Sequence, residues 1–143
     1  MDKRFWICGI VVAMAALICG VLVHALLLRA DYQALAALYR TPDQANAHAA
    51  WVLPAYLMLG LAMTWLYRRM PASDGVDLAR GARFGVAVAL VSYVPWHVLA
   101  FVAQPLPLSL MLRQVLLDLV SMLLLGMLLA WLQPHRRGLA TPP

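Results

Sequence analysis

The stretch VSYVPWHVLAFVAQPLPLSLMLRQVLLDLVSM, residues 91–122, decides how the chain is read. Two apolar runs flank Gln104-Pro105-Leu106-Pro107, and prolines so placed end one helix and open the next. A tight antiparallel helical hairpin follows. Within it stand His97, Arg113, Gln114 and Asp118, in a segment otherwise suited to hydrocarbon. Ionisable groups in hydrocarbon cost several kcal/mol unless paired or hydrated, so the fold has to give them partners.

The rest of the chain has the same character. Of 143 residues, 64% are hydrophobic and only 12% charged, at a mean hydropathy of +0.80. A soluble domain carries about a quarter charged residues, so this is a membrane composition. The formal charge of +5 and pI near 9.8 do not point to nucleic acid. The basic residues cluster beside apolar runs, and none interleave with aromatics as a base-stacking platform would.

Four apolar segments occur at about 5–28, 47–67, 82–103 and 108–132. Each approaches the roughly 20 residues that cross about 30 Å of hydrocarbon. With their flanking turns the spans read as 5–28, 42–69, 78–103 and 107–132. Only helices or closed barrels satisfy the backbone in lipid, so residues 1–143 read as one all-α domain, a four-helix transmembrane bundle. The first run is too long for a signal-peptide core and lacks a small-x-small cleavage site, which makes it a retained span. Cys8 and Cys19 share that run; roughly 16 Å apart along a helix, they are beyond disulfide reach.

Charge gives the orientation. Lys3 and Arg4 precede span one; Arg68, Arg69, Arg80 and Arg83 crowd the second connection; Arg136 and Arg137 follow span four. The first connection has Arg29 and Arg40 balanced by Asp31 and Asp43, and the third has no charge. Both termini and the second connection are therefore expected on the cytoplasmic side.

In the first connection, Tyr32, Leu35 and Tyr39 have the spacing of a short helix lying on the interface. Thr41-Pro42-Asp43-Gln44 then carries a capping box with proline at the first helical position, so span two starts near Pro42. His48 falls at headgroup level.

Gly9, Ala13, Ala16, Gly20 and His24 line one face of span one, and Gly81, Gly85, Ala89, Tyr93 and His97 one face of span three. Such small-residue stripes mark close helix packing. On span four, Gln114, Asp118 and Ser121 share a face. His24 and His97 fall roughly 6 and 9 Å below the non-cytoplasmic surface, with Asp118 near the midplane. A polar recess opening outward above a dry plug is the expected result. Asp118 finds hydrogen bonds from Gln114, Ser121 or a histidine of another span. Arg113 snorkels to the surface.

The candidate ligand- or proton-binding residues are therefore His24, His97, Arg113, Gln114, Asp118 and His48. No metal-ligand spacing, HExxH, paired aspartates or Ser/His/Asp set appears, so a non-catalytic role is expected. Three readings follow. The recess binds a small hydrophobic ligand or a partner membrane protein; or Asp118 and His97 relay protons in a small carrier, which four spans could build only as a homo-oligomer; or His24 and His97 are axial ligands to haem.

The pattern His24-x-x-Leu-Leu with Tyr32, Leu38-Tyr39-Arg40-x-Pro42 with Asn46, Gly81-x-Arg83-Phe84-Gly85 and Pro105-Leu106-Pro107-x-Ser109-Leu110 resembles a family of small bacterial four-span membrane proteins of uncharacterised role. The resemblance covers nearly the whole chain. It implies a bacterial inner-membrane location and the four-span architecture, and it implies no activity.

Overall fold

The structure is a computed structural model describing residues 2–71 and 75–133. All regular structure among these residues is helical. Four runs, Lys3–Leu27, Ala49–Arg68, Leu78–Ala103 and Leu108–Leu132, are long and apolar enough to cross a membrane. Arg136 and Arg137 lie outside the described residues.

The first run is α1 (Lys3–Gly20) continued by a π-helical turn over Val21–Leu27. Asp2 caps it, its carboxylate accepting from the Phe5 amide at 3.0 Å. The connection holds α2 (Arg29–Ala34) and a 3₁₀ turn at Ala36–Leu38. The interfacial helix is thus shorter than the Tyr32–Leu35–Tyr39 spacing suggests, and Tyr39 lies beyond it in extended backbone.

Helix α3 (Pro42–Ala47) starts as the sequence requires. The Gln44 amide donates to Thr41 Oγ1 at 3.4 Å, and the Thr41 amide donates to Gln44 Oε1 at 3.2 Å. It does not run on into the second span, however. A 3₁₀ turn at Ala49–Trp51 separates it from α4 (Val52–Arg68), so residues 42–69 form three helical pieces.

The third run is also divided, into α5 (Leu78–Val91) and α6 (Tyr93–Ala103), where the sequence suggests one helix. Pro95 is the physical cause. Having no N–H, it cannot bond the carbonyl of Val91, and its ring crowds that turn. Ser92 takes the break, its hydroxyl donating back to the Val88 carbonyl at 2.6 Å. The last run, α7 (Leu108–Leu132), is continuous for 25 residues.

The four long runs alternate in direction. Arg68, at the end of α4, pairs with Asp2 at the start of α1 at 2.8 Å. Arg4 donates to the carbonyl of Leu132, the end of α7, at 2.9 Å. Close approach comes from the small residues. A Cβ on Gly60 would collide with the α1 backbone at Gly9 and Ala13, and one on Gly85 with the Met122 carbonyl of α7. The α1–α4 and α5–α7 pairs therefore meet backbone to backbone, which no larger residue permits.

Two apolar clusters result. Near the arginine-rich end, Val12, Ala16, Met63, Tyr67, Leu125 and Leu129 pack together, with Thr64 satisfied by its own helix through the Gly60 carbonyl. At the opposite end Val23, Leu28, Leu106 and Leu110 form a smaller cluster. The outer surface is apolar: Ile7, Met14, Met58, Leu99 and Leu116 are each at least 60% exposed. Between the two clusters the polar residues meet.

Candidate functional site

Helix α7 buries one face, on which Leu110, Gln114, Asp118 and Met122 follow at spacings of four. Leu110 belongs to the upper cluster and Met122 to the lower, so Gln114 and Asp118 fall between them. Asp118 lies ten residues, roughly 15 Å, along the helix from its start. A carboxylate there must be met by donors from other elements.

Two histidines do this. His97 Nε2 lies 2.6 Å from Asp118 Oδ2, and both side chains are over nine-tenths buried. His24, in the π-helical turn, places Nε2 3.5 Å from Asp118 Oδ1, with its side chain 36% exposed. A π turn admits one residue more than an α turn, and such turns recur where side chains are re-aimed for function.

Tyr32 of α2 extends the network. Its hydroxyl is 2.8 Å from His24 Nδ1, the two rings stacking at 6.1 Å between centroids. The Gln114 amide nitrogen donates to the same hydroxyl at 3.0 Å. Burial raises the Tyr32 phenol above its ordinary pKa of 10.0, so it holds its proton and can pass it only along the hydrogen bond. Gln114 Oε1 is buried with no partner among the described residues.

These groups form the floor of an open cleft of about 550 Å³, at the end of the bundle opposite Arg4 and Arg68. That volume suits a small organic ligand. Its walls are aromatic, with Tyr39 meeting Tyr32 edge-on and Tyr93 and Trp96 contributed by α6. Behind Asp118, a small, partly open pocket of about 20 Å³ touches Cys19, Tyr56 and Ser121, room for one water.

Of the six residues singled out in the sequence, His24, His97, Gln114 and Asp118 converge. Arg113 does reach the surface, where it meets Asp31 at 3.1 Å at 62% side-chain exposure. His48 stands apart, its Nδ1 bonded to the Gln44 carbonyl of its own turn. Gln114 and Ser121 do not bond Asp118 as the shared face suggested. Gln114 serves Tyr32, and the Ser121 hydroxyl donates to the Leu117 carbonyl at 2.8 Å. Tyr32 is the member that sequence reasoning missed as a site residue. Its signal was its position eight residues after His24, beyond a single connection.

The residues do not fit axial ligation of haem. Both Nε2 atoms face one carboxylate from 2.6 and 3.5 Å, so an iron taking both would have to expel Asp118. No group of three or more His, Cys, Asp or Glu among the described residues is arranged to hold a metal ion. Comparison with family models, curated proteins and solved structures gave no match.

Proposed function

We propose that this chain is a multi-pass protein of the bacterial inner membrane, with both termini cytoplasmic, that binds a small ligand non-catalytically in a cleft open to the opposite side. The four long apolar helices and their greasy outer surface support insertion. The gathering of Lys3, Arg4, Arg68, Arg69, Arg80 and Arg83 at one end supports the orientation. One observation carries the binding role. His24, Tyr32, His97, Gln114 and Asp118, drawn from four elements, meet at the floor of a 550 Å³ aromatic cleft instead of being scattered.

A polar network that serves packing alone needs no cleft above it, whereas here an open cleft lies directly over the paired groups. Gln114, whose Oε1 is buried without a partner among the described residues, lines that cleft. A second reading, proton-linked transport by an oligomer, draws support from the continuous chain Tyr32–His24–Asp118–His97.

Gentle purification followed by native mass spectrometry tests the binding role. We expect a small molecule bound one to one, and its loss in Ala100→Trp, which fills the cleft beside Trp96. Protein that is bare, or that keeps its passenger in Ala100→Trp, would count against it. Labelling single cysteines placed at Gln104 and at Arg69 with an impermeant maleimide tests the orientation: only Gln104→Cys should react from outside.

A further inference from the structure

The ligand class follows from counting charge and hydrogen-bond polarity at the cleft floor, and it rests on the binding role just proposed. Asp118 is met by no lysine or arginine among the described residues; its ion partners are His24 and His97 alone. The nearest arginine, Arg113, is neutralised by Asp31 at the rim. The other groups facing Asp118 are Cys19 from α1, Tyr32 from α2, Tyr56 from α4 and Tyr93 from α6. Thiols and phenols carry no positive charge in either protonation state, so any cationic charge the chain itself brings to the floor is a proton on an imidazole.

With both imidazoles neutral the floor carries one negative charge. With one protonated it carries none. A low-dielectric site favours the neutral state, so the empty floor holds a proton or the filled floor holds a cation.

The polar contacts around His24 point the same way. Asp118 Oδ1 lies 3.5 Å from His24 Nε2 and can only accept, so a hydrogen on Nε2 faces the carboxylate favourably. In the neutral ring Nδ1 must then accept from Tyr32, and the Tyr32 oxygen accepts from the Gln114 amide. Gln114 Oε1 is left as a buried acceptor without a partner, on a residue that lines the cleft and is only 6% exposed. Protonating His24 makes Nδ1 a donor to Tyr32, which frees the Tyr32 hydroxyl hydrogen; a half-turn of the Gln114 amide then lets that hydrogen reach the amide oxygen and leaves the amide nitrogen as the spare group. The deprotonated floor is therefore negative with a spare acceptor beside it; the protonated floor is neutral with a spare donor.

We infer that the cleft takes an organic monocation, an ammonium with an aromatic or alkyl body, in exchange for one proton held by His24, His97 and Asp118. The N–H of the ammonium answers Gln114 Oε1, its charge answers Asp118, and its body lies against Tyr39, Tyr93 and Trp96, whose ring faces attract cations. The displaced proton leaves to water through the open cleft, so one positive charge enters and one departs.

Calorimetry on the full chain in nanodiscs, with empty nanodiscs subtracted, tests this with three probes of one shape: 2-phenylethylammonium, 2-phenylethanol and phenylacetate. We expect the cation to bind at least about tenfold more tightly than the alcohol, and the anion not to bind. Titrations in buffers of different ionisation enthalpy should show about one proton released per cation, with affinity falling about tenfold per pH unit once the empty floor holds its proton. Asp118→Asn should abolish both effects. Gln114→Met, which keeps the volume, should weaken the primary ammonium about tenfold and leave its N-trimethyl analogue unchanged, since that cation has no N–H to donate. Alcohol or anion binding as tightly as the cation, or cation binding without proton release, would overturn the exchange while leaving a ligand cleft. Saturable binding by none of the probes to folded protein would overturn the cleft reading as well.

Discussion

His97 and Asp118 are joined by a 2.6 Å contact, with each side chain over nine-tenths buried, whereas His24 approaches the same carboxylate at 3.5 Å from a position one-third exposed. The two histidines are therefore unequal. Removing His97 strips the carboxylate of its closer and drier partner, so His97→Ala should destabilise the protein by about 3 kcal/mol. Removing His24 lets water reach Oδ1, and His24→Ala should cost about 1 kcal/mol or less. Reversible unfolding in mixed micelles would measure both; equal costs would mean that the pair shares one environment.

Tyr32→Phe should cost about 1–3 kcal/mol, because it leaves Gln114 without a partner on its amide nitrogen as well as on its oxygen. Replacing both members should undo most of that loss. Tyr32→Phe combined with Gln114→Met removes donor and acceptor together, so the cycle should show positive coupling and near-native stability. Additive losses in the same unfolding measurement would place Gln114 in contacts other than the one to Tyr32.

Much of this arrangement is legible in the sequence, and the parts that are not have identifiable causes. Histidine and aspartate inside apolar runs announce a buried network, because lipid forbids leaving them alone. The Thr41–Gln44 cap and the Gly81–Gly85–Ala89 stripe are local signals, and both hold. The break at Ser92 is also a local matter, the consequence of Pro95, but a run of apolar residues masks it when helices are read by hydropathy. Tyr32 is different. Its role depends on how the π-helical turn and α2 fold back over α7, and no periodicity encodes a contact between residues 32 and 114. Gly60 and Gly126 are weaker signals, since each opens only a single pair of small residues on its own helix, with Thr64 and with Ala130, and meets the longer stripe on another helix.

The glycine contacts carry their own expectation. A methyl group at residue 85 would run into the Met122 carbonyl and the Leu123 backbone, none of which is a flexible side-chain end. Gly85→Ala should force α5 away from α7 and cost about 2 kcal/mol or more through overpacking. Gly75 offers a contrast: nothing lies near its Cβ position, but its φ of 78° suits glycine, so Gly75→Ala should cost only about 1 kcal/mol of backbone strain. Comparable losses at the two positions would mean that the α5–α7 contact is looser than the glycine packing indicates.

The Asp2–Arg68 pair fastens the start of α1 to the end of α4, and it should show itself at acid pH. The guanidinium and the Phe5 amide hold the Asp2 carboxyl down at about 2, below its ordinary 3.8. A depressed folded-state pKa means that the contribution is complete above about pH 4 and disappears as pH falls through about 2. The wild-type melting temperature should therefore drop across that interval by more than it does in Asp2→Asn, which has no carboxyl to protonate there. The comparison must be made within the interval, because every other carboxylate is common to both proteins. Parallel acid profiles for the two would show that the ion pair at this exposed end contributes nothing to holding α1 against α4.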